Sequence, residues 1–516
     1  MKYVGFSEYY HDAGFAIIDE SGKVDFATHG ERYSKKKNDA ILPEQLWDMI
    51  DDKVDHVSFY EDHTIKFDVR GGMAANPTSK ATMTEFANKV SKGTNGKPHA
   101  EIMEKVPFPS SLVYDAKHLH HESHCASAFY TRPWDSKDDT VLVSIDGAGE
   151  IQTAVIMDSE FNLIKEWHYP KSVGLVYTLV TKFLKLRPLE DEYVVMGLSA
   201  YCAGTDKSKV LTQWLIDWYK DLEDIAPEVA LGLPVADPSS PREIRRVAWR
   251  QEFKDKVLSM EDKEAARAVQ DFAEYAIMDI MQEARKHGSK LCYAGGCAQN
   301  VVINSLLPDM FDEVHIAVSP TDAGSGLGTA ARSWSKATGK DKLTWSPYCG
   351  YDIKKELDPK VIVDHLLEHK VCGIANGKAE FGPRALGNRS LIADVRFDVK
   401  DTVNGIKRRQ KYRPFAPAIL EEYAEEYFSG PMNEFMQYTS VALHDYKPVT
   451  HCDGTARVQV VKKDCESILR KVLEEYHART GVPMLLNTSL NVRGRPMVND
   501  EHDARLWEQE YGVKVF

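Results

Sequence analysis

The sequence predicts an α/β protein in two units, a duplicated first unit over residues 1–340 and a second, cation-rich unit over 352–516. Three observations carry this. The length, at roughly 150 residues per domain, holds two or three domains with a sizeable core. One strand–turn–strand pattern occurs twice in the first two-thirds of the chain. Beyond a Gly- and Pro-bearing stretch near 334–352, the chain turns to glycine-rich segments dense in Arg and Lys.

The first copy of the pattern runs Tyr3–Phe6, then His11-Asp12-Ala13-Gly14, then Phe15–Ile18. The second runs Val141–Ile145, then Asp146-Gly147-Ala148-Gly149-Glu150, then Thr153–Met157. Each predicts a hairpin whose turn offers backbone N–H groups and a carboxylate, suited to phosphates or a metal held between two facing lobes. Internal duplication is the economical reading. Segment 60–110, with Gly71, Gly72, Pro77, Gly93, Gly96, Pro107 and Pro109, reads as an inserted excursion over the first lobe. Residues 205–287 read as mostly helical, with apolar spacing near 3.6 from Ala265 to Arg285. The strand Leu291–Ala294 leads into Gly295-Gly296-Cys297-Ala298-Gln299-Asn300 and a helix, where paired glycines admit close backbone approach and the helix start attracts an anion. Val314–Val318 ends at Ser319-Pro320-Thr321-Asp322, which presents Asp322 at a strand end. After the linker at 334–352, a helix over Lys355–His369 and the strand Val371–Ala375 open the second unit.

Composition narrows the function. A net charge of −13 and pI near 5.8 leave no global footprint for gripping duplex nucleic acid, so such contacts need a local basic surface. The balance points instead to small, often anionic, ligands in local pockets. Eight scattered Cys without a CxxC pair predict reduced thiols and a cytoplasmic setting. No signal peptide and no apolar run long enough to span a bilayer are read, so no membrane partner is expected.

In His118-Leu119-His120-His121-Glu122-Ser123-His124, a helix would project His120 and His124 from one face, the spacing by which two imidazoles share a metal. The order of residues is not that of a metalloprotease HExxH, and plain surface or core histidines are the alternative. Asp146 and Asp322 could complete the site, and two His with carboxylates suit Fe²⁺, Mn²⁺ or Zn²⁺ better than Ca²⁺. In the second unit, Gly377-Lys378-Ala379-Glu380-Phe381-Gly382-Pro383-Arg384-Ala385-Leu386-Gly387-Asn388-Arg389-Ser390 and the run Lys407–Pro417, which includes Arg413, interleave cations with Gly and Pro. Loops of this kind bring cations together on phosphate oxygens, with Arg as the bidentate partner. Asn487-Thr488-Ser489, after a strand, supplies amides and hydroxyls for a nucleotide or an acyl group.

Together His11-Asp12-Ala13, the His120–His124 pair, Ser319–Asp322, the Glu380–Ser390 string, Arg413-Pro414-Phe415-Ala416-Pro417 and Asn487-Thr488-Ser489 resemble the O-carbamoyltransferase family of nodulation and antibiotic-tailoring enzymes. The likeness covers nearly the whole chain; Cys297, Gln299 and the 60–110 excursion depart from it. It implies a Kae1-like domain of the duplicated actin/Hsp70 type followed by an α+β YrdC-like domain. By the resemblance, the YrdC-like part makes carbamoyl-adenylate from carbamoyl phosphate and ATP, with Mg²⁺ accompanying ATP, and the Kae1-like part passes the carbamoyl group to an acceptor hydroxyl at a divalent metal, Fe²⁺ or Mn²⁺. His120, His124, Asp146 and Asp322 take the metal positions. His11 and Asp12 take the transfer site, and Lys378 and Arg384 are catalytic in activation. Gly147, Gly295, Gly296, Asn300, Arg389, Lys407, Arg413, Asn487 and Ser489 take substrate and nucleotide positions.

A sugar or natural-product hydroxyl is the family's default acceptor, and a hydroxymethylated pyrimidine, free or in DNA, is the second. For the latter, Arg245, Arg246 and Trp249 combine cations with a ring that could stack on a base, against the plainer reading of a solvated helix. A homodimer is compatible with the family. The rival functions are tRNA threonylcarbamoyl-adenosine synthesis and a nucleotide-driven binding protein of the actin or Hsp70 kind.

Overall fold

The computed structural model describes residues 1–8, 11–50, 54–61, 113–114, 119–221 and 241–516. The excursion predicted at 60–110, and His118, lie almost wholly outside them.

Two five-stranded sheets repeat one topology. In the first, β1 (Lys2–Ser7), β2 (Gly14–Asp19) and β3 (Val24–His29) form an antiparallel meander, and β4 (Val54–Phe59) and β5 (Val113–Tyr114) continue parallel to β1, in the order β3-β2-β1-β4-β5. In the second, β6 (Thr140–Ile145), β7 (Gln152–Asp158) and β8 (Leu163–His168) form the meander, and β9 (Lys290–Ala294) and β10 (Glu313–Ile316) run parallel to β6, in the order β8-β7-β6-β9-β10. The duplication read in the sequence is therefore a duplication of topology. All six residues of β6 are buried, so it reads as a continuous apolar run, as expected for a strand covered on both faces.

Helix α1 (His120–Phe129) ends in the core between the sheets. Beyond β8 come α2 (Val173–Phe183) and α3 (Glu192–Ser199), and then α4 (Asp206–Asp221), α5 (Pro241–Leu258) and α6 (Asp262–Arg285), which fall in the stretch predicted helical at 205–287. Helix α6 buries Ala265, Val269, Phe272, Ala276 and Ile280, the apolar stripe of a 3.6-residue period, against the second sheet. Helix α7 (Asp322–Thr338) lies against β1, β2 and α1 so closely that a Cβ at Gly14 would stand 1.9 Å from the Ala323 carbonyl oxygen, and one at Gly328 1.9 Å from that of Ser123. Glycine at these positions lets α7 meet β2 and α1 backbone to backbone.

Helix α7 continues to Thr338 and stops at Gly339, whose φ of 73° only glycine takes readily. With β11 (Tyr348–Ile353) beginning soon after, the irregular stretch is 339–347, shorter than the expected 334–352. The next helix, α8 (Pro359–His369), starts four residues later than predicted, because the Asp358 side chain accepts from the Lys360 N–H at 2.9 Å and Pro359 takes the first turn.

The C-terminal residues form β12 (Val371–Ala375), β13 (Gly377–Glu380), which pairs with β11, β14 (Arg389–Ala393), β15 (Ala416–Leu420), β16 (Gln459–Val461), helix α9 (Leu469–Thr480) and β17 (Met484–Ser489). Five of these strands make a mixed sheet in the order β12-β14-β17-β15-β16, with α8 and α9 packed on one face. All eight cysteines are free thiols. Among the described residues no helix is long and apolar enough to cross a membrane.

Candidate active site

Sequence spacing puts His120 and His124 one turn apart at the start of α1, where the His120 backbone N–H donates to the Glu150 carboxylate at 2.8 Å. Asp146 leaves the end of β6 and Asp322 opens α7. The four side chains converge, with one ligand atom from each lying within 4.8 Å of all the others. The two imidazole Nε2 atoms face each other at 3.1 Å. His124 Nε2 is 3.1 Å from Asp146 Oδ2 and 3.2 Å from Asp322 Oδ1; the corresponding distances from His120 Nε2 are 3.6 and 3.5 Å. Two imidazole nitrogens aimed at one point between two carboxylates, with His120, His124 and Asp322 buried and Asp146 partly exposed, form a donor set that a divalent transition cation fits.

The outward nitrogens are held as well. His120 Nδ1 lies 3.5 Å from the buried Glu61 carboxylate, and His124 Nδ1 pairs with Ser325 Oγ at 3.2 Å. Such partners set ring orientation and basicity. Burial works to raise the Asp146 carboxyl, but hydrogen bonds and charge from His120 and His124 hold it well below the ordinary range. Asp322 is likewise depressed against burial, by the charges of His120 and His11 and a hydrogen bond from His124. His121 faces elsewhere, to Ser144 Oγ at 2.7 Å and the Gln152 carbonyl at 3.1 Å, and burial beside the other two histidines pushes it down to about 3.

His11 Nε2 stands 3.6 Å from Asp322 Oδ2, so the first turn opens onto the same centre. Asp12 takes a left-handed φ of 57°. Burial raises its carboxyl, as do Glu31 and Asp322, while His11 and Lys37 oppose the rise. Lys37 Nζ donates to both Glu31 oxygens at 2.8 and 2.9 Å, behind this turn. Neither Glu31 nor Lys37 stood out in the sequence, since a charged pair six residues apart in a turn has no signature.

The Gly pair sits where predicted: a Cβ at Gly295 (φ 90°) would meet the Ile145 carbonyl oxygen at 2.3 Å, and the Gly296 N–H donates to Asp146 at 3.3 Å. The Gly147 N–H also donates to Asp146. Asn300 is turned to local work, capping the helix at Val301 by accepting from the Ile303 N–H at 3.3 Å and pairing with Gln270.

The C-terminal cations divide into two sets. Arg384, Arg409, Arg413 and Arg457 act on one another: desolvation lowers Arg384 to about 10 with Arg413 adding, and lowers Arg409 and Arg457 well below the usual guanidinium value, with neighbouring guanidiniums adding. Among the described residues no carboxylate pairs with any of the four. Lys407 lies beside them, donating to Ser489 Oγ at 3.1 Å and Asn491 Oδ1 at 2.6 Å, its ammonium pushed well down by burial and by Arg409 and Arg413. Half-buried like charges without counter-ions, lining a surface that solvent and ligands can reach, call for an anionic ligand. Arg457 stands alone in sequence and could not be singled out there.

In the second set Arg389 holds the fold together. Arg389, expected at the nucleotide, donates to the carbonyls of Asn499, Asn376, Gly377, Asn388 and Tyr351 at 2.8–3.2 Å. Asn487 uses its amide N–H groups on the Ala385 carbonyl and Gln459. Lys378, expected to be catalytic, is exposed on β13 and makes no ion pair among the described residues. Lys378 and Arg389 share one string with Arg384 in the sequence; β13 and β14, on either side of it, separate them. Trp249, read as a platform for a base, instead stacks on Trp214 and Trp218, with ring centroids 5.4 and 4.3 Å away, as part of helical packing between α4 and α5. The side chains of Arg245 and Arg246 lie outside the described residues.

A buried metal-type centre on a duplicated α/β unit and an uncompensated arginine cluster in the C-terminal part are the equipment of an enzyme that handles anionic substrates. Residues 111–331 match the family model described as Carbamoyltransferase N-terminus, and 363–515 that described as Carbamoyltransferase C-terminus. Nodulation protein U of Rhizobium tropici is 32% identical over 435 residues, 77% of this chain and 75% of that protein. Nodulation protein NolO of Bradyrhizobium diazoefficiens is 30% identical over 424 residues, 75% of each. An uncharacterized protein of Methanocaldococcus jannaschii is 27% identical over 96% of this chain and 94% of its own. Among solved structures, component A of the Acidaminococcus fermentans (R)-2-hydroxyglutaryl-CoA dehydratase aligns with 66% of this chain and all of its own at a TM-score of 0.36 and 9% identity, too loosely to bear on chemistry. The chain belongs to the carbamoyltransferase family, and the reaction it catalyses is carbamoyl transfer.

Proposed function

We propose that the protein is an ATP-dependent O-carbamoyltransferase with two sites: an activating site in a YrdC-like domain over 352–516, and a transfer site in a Kae1-like domain of the actin/Hsp70 type over 1–340. The observation that carries this is the presence of two unlike clusters, one in each of two units that meet closely. Arg384 follows directly on Gly382-Pro383, and a Cβ at Gly382 would lie 2.7 Å from the Val318 carbonyl oxygen, four residues before Asp322. The loop that carries Arg384 thus meets the strand end that leads to Asp322.

At the first site carbamoyl phosphate, ATP and water give carbamoyl-adenylate, phosphate and pyrophosphate. The carbamate oxygen released from carbamoyl phosphate attacks the α-phosphorus, and the bond to pyrophosphate breaks. Arg384, Arg409, Arg413, Arg457 and Lys407 hold the assembled polyanion and stabilise charge on the transferring phosphate. At the second site the acceptor oxygen attacks the carbamoyl carbon, and AMP leaves. His11 or Asp12 takes the hydroxyl proton; an Asp12 carboxyl raised by burial is a better base than a solvated one. His120, His124, Asp146 and Asp322 would hold a divalent metal, Fe²⁺ or Mn²⁺, which supplies Lewis-acid polarisation when bound. Two adjoining sites shield a hydrolysable adenylate from water. Eight free thiols accord with a reducing cytoplasm.

The acceptor class is a small-molecule hydroxyl. Incubation with carbamoyl phosphate, ATP and candidate hydroxyl acceptors, read by product mass and AMP release, tests the reading. Products carrying threonylcarbamoyl, or ATP hydrolysis without any carbamoyl product, would overturn it.

A further inference from the structure

The arginine cluster is built from C-terminal residues, yet one of its members' partners comes from the other unit. Tyr193, on the first turn of α3, lies beneath Arg413: the guanidinium carbon is 4.4 Å from the ring centroid, and Arg413 Nη1 donates to the Tyr193 hydroxyl at 3.3 Å. Helix α3 is fastened in this position at both ends. Before it, the buried Asp191 carboxylate accepts from Arg493 at 3.0 Å. After it, the Tyr201 hydroxyl donates to the Tyr412 carbonyl at 3.0 Å, and its ring meets those of Tyr412 and His451 edge-on. Arg493, Tyr412 and His451 all belong to the C-terminal part.

We infer that Tyr193 is a positioning residue of the anion site, contributed by the transfer unit, which orients Arg413 without neutralising it. The side-chain type matters. A carboxylate at this place would pair with Arg413 and compete with the ligand's phosphate oxygens. A phenol grips the same guanidinium through its ring face and hydroxyl oxygen and leaves the full positive charge for the ligand. The activating site is then complete only when α3 is docked, so that anion binding reports on the contact between the units.

This inference rests on the adenylate-forming reading, and the experiment separates the two. Calorimetric titration of the full chain with inorganic pyrophosphate is run beside carbamoyl-phosphate-dependent pyrophosphate release from ATP. Tyr193→Ala is expected to weaken pyrophosphate binding about tenfold and to raise KM for carbamoyl phosphate more than it lowers kcat. Tyr193→Phe, which keeps the ring, recovers most of that loss, and Tyr193→Glu binds more weakly than Tyr193→Ala. Wild-type affinity in Tyr193→Ala, or binding by Tyr193→Glu as tight as wild type, overturns the positioning role. Failure of the wild-type protein to release pyrophosphate from ATP overturns the adenylation reading itself.

Discussion

The Arg32 guanidinium donates to the Gly382 carbonyl at 3.0 Å, and both groups are buried. On the far side of the same loop the Glu380 carboxylate accepts from the backbone N–H groups of Leu386, Asn388 and Arg389 at 2.8, 2.8 and 3.1 Å. The loop that carries Arg384 is thereby closed by a carboxylate from its own unit and gripped by a cation from the other. Glu380 was in view in the sequence as part of a motif, but its task is to accept from the backbone rather than to meet a substrate.

Glu380→Gln should therefore destabilise the protein and loosen the Arg384 loop together. Hydrogen bonds to a buried charge contribute about 1.5–3 kcal/mol each. An amide can keep some of the three but accepts them more weakly, so a loss of about 2 kcal/mol is expected in urea unfolding. An unchanged midpoint would show that the loop closes without the carboxylate.

His120→Ala or His124→Ala should abolish bound divalent metal and acceptor carbamoylation, and leave carbamoyl-phosphate-dependent pyrophosphate release largely intact. Metal content by mass spectrometry, measured beside pyrophosphate release, checks this. Equal loss of both half-reactions would remove the division of labour between the two sites.

For Arg384→Ala and Arg457→Ala the expectation is reversed. Removal of one preorganised donor to a charged transition state costs about 3 kcal/mol, on the order of a hundredfold in rate. Pyrophosphate release should fall by that factor while metal content stays constant. Lys at position 384 should rescue poorly, because the planar fork is lost. The same test on Arg389→Lys should reveal a stability defect first, since its guanidinium holds backbone carbonyls.

The Glu31–Lys37 pair behind Asp12 predicts a pH dependence. Burial works to raise the Glu31 carboxyl, but the Lys37 ammonium and the hydrogen bonds it and Asn38 donate bring the net value below the usual 4.5. A carboxylate depressed in the folded state stabilises the fold fully above the unfolded value. That contribution is lost as pH falls below 4.5 through the folded value. Glu31→Gln should therefore flatten the decline in stability as pH falls below 4.5 through this window, as followed by urea midpoints. A decline as steep as wild type would place the acid sensitivity elsewhere.

How much of this was legible before folding follows from which interactions are local. The duplication, the hairpins at 3–18 and 141–157 and the pairing of His120 with His124 follow from patterns a few residues long, because strand alternation and helical pitch place near neighbours. Asp146 and Asp322 could be named because each stands at the end of a predicted strand. What the local pattern leaves open is partnership across the chain. Arg384 and Arg389 lie five residues apart in one cationic string, yet one faces an uncompensated cluster and the other is saturated by backbone carbonyls. Arg457 and Tyr193 enter that cluster from 73 residues downstream and from the other unit, with no motif to mark them. Trp249 had the composition of an exposed platform, and the packing of α4 against α5 gave its ring to Trp214 and Trp218 instead. Secondary structure is set by near neighbours in the chain, whereas desolvation and charge pairing depend on whatever the fold brings within a few ångströms, and the latter decide which cation binds a ligand and which holds the structure.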